Sequence, residues 1–241
     1  MNERLRGIVL QHHKYSETSL IVKVFTETHG LQSYLIKGAF GRRSKLRPAF
    51  FQPMTFIDFV ADLKTNRELH YMREISIETV FYSIPFDMQK NAIILFISEL
   101  LTKTILEHES NSLLFNFLHR SIQWLDLSKT NFSNFHLFFC WELTRYIGFY
   151  PKLDRTDSQH IFDLMEGVFK TNTPGHGYYV EPPKSLIMRQ LCLCKLENLH
   201  EVELTNKVRR EILNEILIYY RLHLPGFNGL KSHEVLKSVF E

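Results

Sequence analysis

Leu31-Gln-Ser-Tyr-Leu-Ile-Lys-Gly-Ala-Phe-Gly-Arg-Arg-Ser-Lys-Leu-Arg47 runs from a strand-like stretch into a loop with five positive charges, Lys37, Arg42, Arg43, Lys45 and Arg47. No acid occurs between Gly30 and Ile57, so nothing nearby in sequence cancels them. An anionic partner is the simplest reading, because ammonium and guanidinium groups on such a loop neutralise phosphates and release the counterions condensed on a nucleic-acid backbone. A solvated surface loop has the same composition, and the stretch by itself does not separate the two.

The segments on either side alternate with period two. Leu5–Gln11 and Ser19–Thr26 are rich in Ile, Val, Leu and Phe, and Lys14-Tyr-Ser-Glu-Thr18 between them has turn chemistry, which predicts two antiparallel strands. Thr28-His-Gly30 is a second turn, with a glycine free to take positive φ, and Leu31–Ile36 returns as a third strand. Beyond the basic loop, Pro48 and Pro53 flank an aromatic stretch before a fourth strand over Thr55–Val60. Arg67–Arg73 and Ile75–Phe81 supply a fifth strand and the exit. Five short strands in about 80 residues suit a barrel of the oligonucleotide-binding type, an OB-fold.

At Ser83-Ile-Pro-Phe-Asp87 the period changes to 3.6, and Asp87 is placed to cap the helix that follows. Helices are expected over Asn91–Glu107, Leu113–Leu125 and Ser133–Ile147, the last apolar almost all round and therefore central to its domain. Gly148-Phe-Tyr-Pro151 stops it. A β-hairpin over Ile161–Leu164 and Val168–Lys170, with Tyr178–Val180 as a further strand, interrupts the helical pattern, which resumes over Ser185–Leu196, Asn206–His223 and Ser232–Phe240. The expected fold is thus α+β: an N-terminal five-stranded barrel over 1–82, then a helical domain over 83–241 with an irregular insertion at about 152–183.

Net charge is only +3 over 241 residues, so its distribution matters more than its total. Residues 1–80 hold 12 Lys and Arg against 8 Asp and Glu, and the rest hold 17 against 18. The excess falls with the basic loop. Three cysteines, Cys140, Cys192 and Cys194, make no disulfide framework and read as free thiols buried in helical surroundings, as expected in a reducing cytosol. The N-terminus has no signal-type apolar run, and the longest apolar patch, Ala92–Leu101, is too short to span a bilayer. A soluble cytoplasmic protein with no membrane role is expected.

Catalytic motifs are missing from the sequence. Gly38 and Gly41 do not form a GxxxxGK[ST] loop or dinucleotide spacing, and neither GxSxG nor HExxH occurs. His12 and His13 are adjacent on a strand and face opposite ways. Cys192-Leu-Cys194 lacks the second pair that a zinc site needs. No catalytic residue, metal or cofactor is therefore assigned. Most of the 20 phenylalanines fall on helical core faces, but Phe40, Phe50 and Phe51 lie among the loop cations. That interleaving lets unstacked bases rest on rings while cations hold phosphates. Phe50 and Phe51, being neighbours, must send one side chain into the barrel, and the candidate DNA-binding set is taken as Lys37, Arg42, Arg43, Lys45 and Arg47 with Phe40.

Gly7-Ile-Val-Leu10, Tyr15-Ser-Glu-Thr-Ser-Leu20, Val24-Phe-Thr26, His29-Gly30, Ile36-Lys-Gly-Ala39 and Gln52-Pro53 resemble the N-terminal barrel of the RecO family of DNA repair proteins. Gly148-Phe-Tyr-Pro-Lys-Leu-Asp154, and His223-Leu with Leu230-Lys-Ser232 and Val235-Leu236, resemble that family's later segments. The likeness runs in order along nearly the whole chain. It implies a recombination mediator that binds single- and double-stranded DNA, anneals complementary strands, interacts with single-stranded-DNA-binding protein, and acts with RecR to help load RecA. It implies no bond-breaking site, and it places the basic loop against DNA. Many members carry a four-cysteine zinc ribbon after the element ending at Asp154. Here Thr156 and Gln159 fall where the first pair would stand, and no second pair occurs near Gly175–Tyr178, so no zinc is expected and hydrophobic packing would have to hold the hairpin. The other reading makes the helical domain a module that docks partner tails, with the barrel as scaffold. A hydrolase or metalloenzyme has no motif behind it.

Overall fold

Leu20, Val22 and Val24 alternate with Ile21 and Lys23 along β2 (Leu20–Thr26), and the apolar set is buried inside a closed barrel. The computed structural model describes residues 2–40, 48–64, 67–105, 110–153 and 160–240. The chain divides into two units, residues 1–126 and 127–241. No helix among the described residues is long and apolar enough to cross a membrane.

In the first unit β1 (Asn2–Lys14), β2, β3 (Gly30–Ile36), β4 (Phe56–Asp62) and β5 (Leu69–Ile77) close in the order β1-β2-β3-β5-β4. Only the β3–β5 pairing is parallel. β1 is longer than its apolar core suggests because it pairs with β4 over Asn2–Ile8 and with β2 over Gly7–Lys14. Where it changes partners, a bulge between Val9 and Gln11 breaks the ladder. The freed groups find other partners: Val9 N–H donates to Thr55 O at 2.9 Å, Met54 N–H donates to Val9 O at 2.7 Å, and the Ser98 hydroxyl donates to Leu10 O. Gly7 is required at the crossing, since a Cβ there would lie 2.3 Å from Val24 Cγ1. Gly30, at φ 62°, makes the expected positive-φ turn into β3.

β5 runs on past Arg73 into the segment expected as the exit, ending at Ile77. Val60 pairs with Arg73 but Asp58 with Ser76, so β5 carries one extra residue, and Glu74 takes it up at φ 53°. A short 3-10 turn, Pro48–Phe51, precedes β4 and delivers Phe51 into the barrel at 3% exposure, while Phe50 stays half-buried against the same core. His12 Nδ1 lies 2.7 Å from Phe51 O and holds that turn against β1.

Two helices complete this unit, α1 (Met88–Thr104) and α2 (Ser112–Leu127). Asp87 caps α1, accepting from the Gln89 and Lys90 amides at 2.9 and 3.1 Å. The segment entering α1 is fixed by Asp126, whose carboxylate accepts from the backbone amides of Tyr82, Ser83 and Ile84, each at 2.9 Å. Burial alone would raise the Asp126 pKa, but the Ile84, Tyr82 and Ser83 hydrogen bonds outweigh it and hold the group below its ordinary value. Lys90, its own pKa lowered by burial, donates to Asp126 O at 3.0 Å and to Ser83 Oγ at 2.6 Å.

In the second unit α3 (Phe135–Tyr146) is buried on nearly all sides, with Trp141 fully enclosed between Phe162 and Tyr219. Around it pack α4 (Lys184–Leu193), α5 (Asn206–His223), α6 (Ser232–Val239) and a small sheet of order β7-β6-β8, where β6 is Ile161–Asp163, β7 Val168–Lys170 and β8 Tyr179–Val180. Phe162, Phe169 and Val180 bury the sheet's inner face. Asp163, fully buried, turns the hairpin by accepting from the Met165 and Glu166 amides and pairs with Lys170 at 2.8 Å. Apolar packing and the Asp163–Lys170 pair, its lysine partly exposed, hold this excursion together. Asp154–Gln159, with Thr156, lies outside the described residues.

The expected helix over Ser185–Leu196 ends early. α4 stops at Leu193, Cys194 leaves it with extended backbone, and Leu196–Glu201 forms a 3-10 turn. Cys192 is buried as expected, but Cys194 is half-exposed because the helix ends beneath it. The apolar spacing of Leu193 and Leu196 mimicked one more helical turn.

Candidate nucleic-acid interface

The basic loop starts where β3 leaves the barrel. Leu35 pairs with Tyr71 across the parallel β3–β5 ladder, so Lys37, two residues on, shares that face, and its ammonium lies 4.7 Å from the Tyr71 ring centroid. Gly38 then turns the chain at φ 71°, and Ala39 is buried. Phe40 is thrown outward, 49% exposed, while its N–H reaches Thr18 O at 3.4 Å in the β1–β2 turn. Two loops are thereby tied at one rim of the barrel. Lys14, the last residue of β1, places its ammonium 6.0 Å from the Phe40 centroid.

Of the candidate set, the structure places Lys37 and Phe40 at this rim. Arg42, Arg43, Lys45 and Arg47 lie outside the described residues.

The adjoining outer face is read from the strand registers. One row runs His13, Ile21, Leu35, Tyr71 and a second runs Gln11, Lys23, Ser33, Leu69. This is a half-buried apolar strip carrying Lys23 in its second row. Among the described residues Lys14, Lys23 and Lys37 form no ion pair; Glu17 in the exposed turn and Asp62, opposite Tyr71, are the nearby acids. Elsewhere on the barrel the balance is different. Arg6 pairs with Glu27 at 3.2 Å and with Glu78, which also faces His119 at 3.3 Å. The Glu78 hydrogen bond raises the Arg6 pKa further, and its guanidinium lies 5.6 Å from the Phe115 centroid on α2.

Sequence reasoning missed Lys14, Tyr15, Lys23 and Tyr71. Lys23 was within reach, since period two along β2 sets it opposite the buried Val22 and Val24. Tyr71 was not, because its place beside Lys37 depends on a parallel pairing across more than thirty residues. Chemically, the rim and face offer cations that form no ion pair among the described residues, beside exposed or half-buried rings, which suits a flexible polyanion with stackable bases.

In the second unit α4 and the 3-10 turn after it enclose a groove of about 590 Å³, lined by Leu186, Leu193 and Val202 with Arg189, Lys195 and Glu201 among its polar residues.

Comparison with known proteins agrees along the chain. The family described as Recombination protein O N terminal matches residues 1–81, and that described as Recombination protein O C terminal matches residues 85–234. The DNA repair protein RecO of Bacteroides fragilis is 38% identical over 242 residues, covering 100% of both chains. That of Flavobacterium psychrophilum is 37% identical over 242 residues, again covering 100% of both. That of Porphyromonas gingivalis is 30% identical over 243 residues, covering 98% of each.

Proposed function

The chain belongs to the RecO family of recombination proteins, and on that premise we propose that it is a non-enzymatic DNA repair mediator. Residues 1–82 serve as the DNA-binding domain and 83–241 as the helical domain. Lys37, Arg42, Arg43, Lys45 and Arg47 hold phosphates of single- and double-stranded DNA, with Phe40 beside them. Because they touch the backbone and not base edges, binding tolerates any sequence. Two strands held by their backbones keep their bases free to pair, which is what annealing of complementary strands requires. The protein then works with RecR and single-stranded-DNA-binding protein to help load RecA, in the cytoplasm.

The observation that carries this reading is the barrel rim itself: Lys37 and Lys14 stand over exposed or half-buried rings, at the head of a loop with no acid between Gly30 and Ile57. The test is annealing of complementary strands coated with single-stranded-DNA-binding protein, comparing wild type with R42A/R43A/K45A. Faster annealing by wild type is expected. Equal rates would remove the loop from its role.

The groove beside α4 favours a second, compatible role. Leu186 and Leu193 offer an apolar bed, and Arg189 and Lys195 offer cations, for an acidic partner tail that ends in apolar residues. Tail-peptide binding that survives the loop substitutions would separate this docking role from DNA binding.

A further inference from the structure

We propose that Tyr15 and Phe40 form a two-ring clamp that stacks unpaired nucleobases and makes the barrel favour single strands over duplex. The inference rests on the reading that this rim holds a nucleic-acid backbone, and it adds what that reading lacks, a contact that only unpaired bases can make.

Both rings are exposed while the backbone beneath each is hydrogen-bonded. Tyr15 is 62% exposed, yet its turn is fixed: Tyr15 N–H donates to Ser19 O at 3.0 Å, Ser16 N–H to the same oxygen at 3.2 Å, and Ser19 N–H to Ser16 Oγ at 3.1 Å. Phe40 is held by buried Ala39 on one side and by its own N–H to Thr18 O, inside the turn that carries Tyr15. An exposed phenylalanine on a backbone pinned at two points gains nothing for the barrel core. It presents a preformed ring at little further entropic cost. Lys14, 6.0 Å from that ring, and Lys37, three residues before Phe40 and over Tyr71, supply charge for the phosphates flanking a stacked base. Glu17, in the same turn, is exposed and is the acid a bound strand would have to pass.

The geometry selects against duplex because paired bases are stacked on one another, so ring faces cannot reach them without unstacking. Every base has a π-face, so the clamp remains indifferent to sequence. Phosphate contacts alone do not discriminate in this way.

The test uses full-length protein and three labelled ligands of equal length: an oligothymidylate, an abasic deoxyribose-phosphate strand, and a duplex. Wild type should bind the oligothymidylate at least roughly fivefold more tightly than the abasic strand, the lower end expected for one stacked base. The Tyr15→Ala, Phe40→Ala double variant should lose that advantage, while its affinity for the abasic strand and duplex, and its salt slope, stay within about twofold. Tyr15→Phe with Phe40→Trp should restore the advantage, which separates stacking from any disturbance of the turn. Equal wild-type affinity for the thymidylate and abasic strands, or an equal loss on single strand and duplex in the double variant, would overturn the clamp. Wild type showing no salt-dependent binding to any ligand would overturn the interface itself, and the clamp with it.

Discussion

Arg6 and Lys37 both place a cation against an aromatic ring of the first unit, and they differ in everything around it. Arg6 has Glu27 and Glu78 as partners and contacts Phe115 of α2, so its charge is consumed within the fold. Lys37 lies over Tyr71, forms no ion pair among the described residues, and leads into a loop whose sequence contains four more cations and no acid. The same residue chemistry thus serves cohesion in one place and an external anion in the other. What distinguishes them is whether the cation is paired with an acid.

Asp126 belongs with Arg6 on the consumed side, and removing it should have the largest effect. Asp126→Ala orphans three amides, while Lys90 keeps its bonds to the carbonyl of residue 126 and to Ser83, and the loss is about 3 kcal/mol of stability or more, at about 1–3 kcal/mol for each unsatisfied buried donor. Denaturant midpoints would show it, with DNA affinity per folded molecule unchanged. Since folding depresses the Asp126 pKa, the wild-type contribution is present above the unfolded carboxylate value of about 3.9 and fades as pH falls through the lower folded value. An acid titration of wild type should show that loss, and Asp126→Ala should lack it.

On the open side, R42A/R43A/K45A should weaken single-strand binding about a hundredfold near 0.1 M salt, from three lost phosphate contacts, with no change in denaturant midpoint. A large loss of stability instead would move the loop into the consumed class. Arg6→Met should reverse that pattern, costing about 1 kcal/mol of stability, as partly exposed ion pairs do, and leaving the DNA affinity and salt slope alone. Lys37→Met should be the smallest change. One phosphate contact is worth about fivefold in affinity and about 0.7 in slope, with stability nearly unaffected.

The barrel was legible in sequence because its strands obey period two and its turns carry Gly, Ser and Thr. The two places where reading and structure diverge are places where the ladder is irregular. The Val9–Gln11 bulge let β1 run on to Lys14, and β5 continues through Glu74 at positive φ to Ile77, past the break expected after Arg73. Helix starts were readable where a side chain does the capping, as at Asp87. The end of α4 was not, because leucine spacing continued past Leu193 after the backbone had turned extended at Cys194. For the site, charge and its lack of local countercharge could be read directly from Lys37 to Arg47. The partnership of Lys37 with Tyr71, and of Phe40 with the Tyr15 turn, could not, since both arise from pairings between segments distant in sequence.

The central claim is that the barrel's unopposed cations hold a phosphate backbone without choosing a sequence, and the salt dependence of single-strand binding tests it most directly. Across oligonucleotides of unrelated sequence, about four or five engaged phosphates predict that log K falls against log salt with one common slope of roughly −3 to −3.5. A slope near zero, or slopes and affinities that change from one sequence to the next, would contradict it.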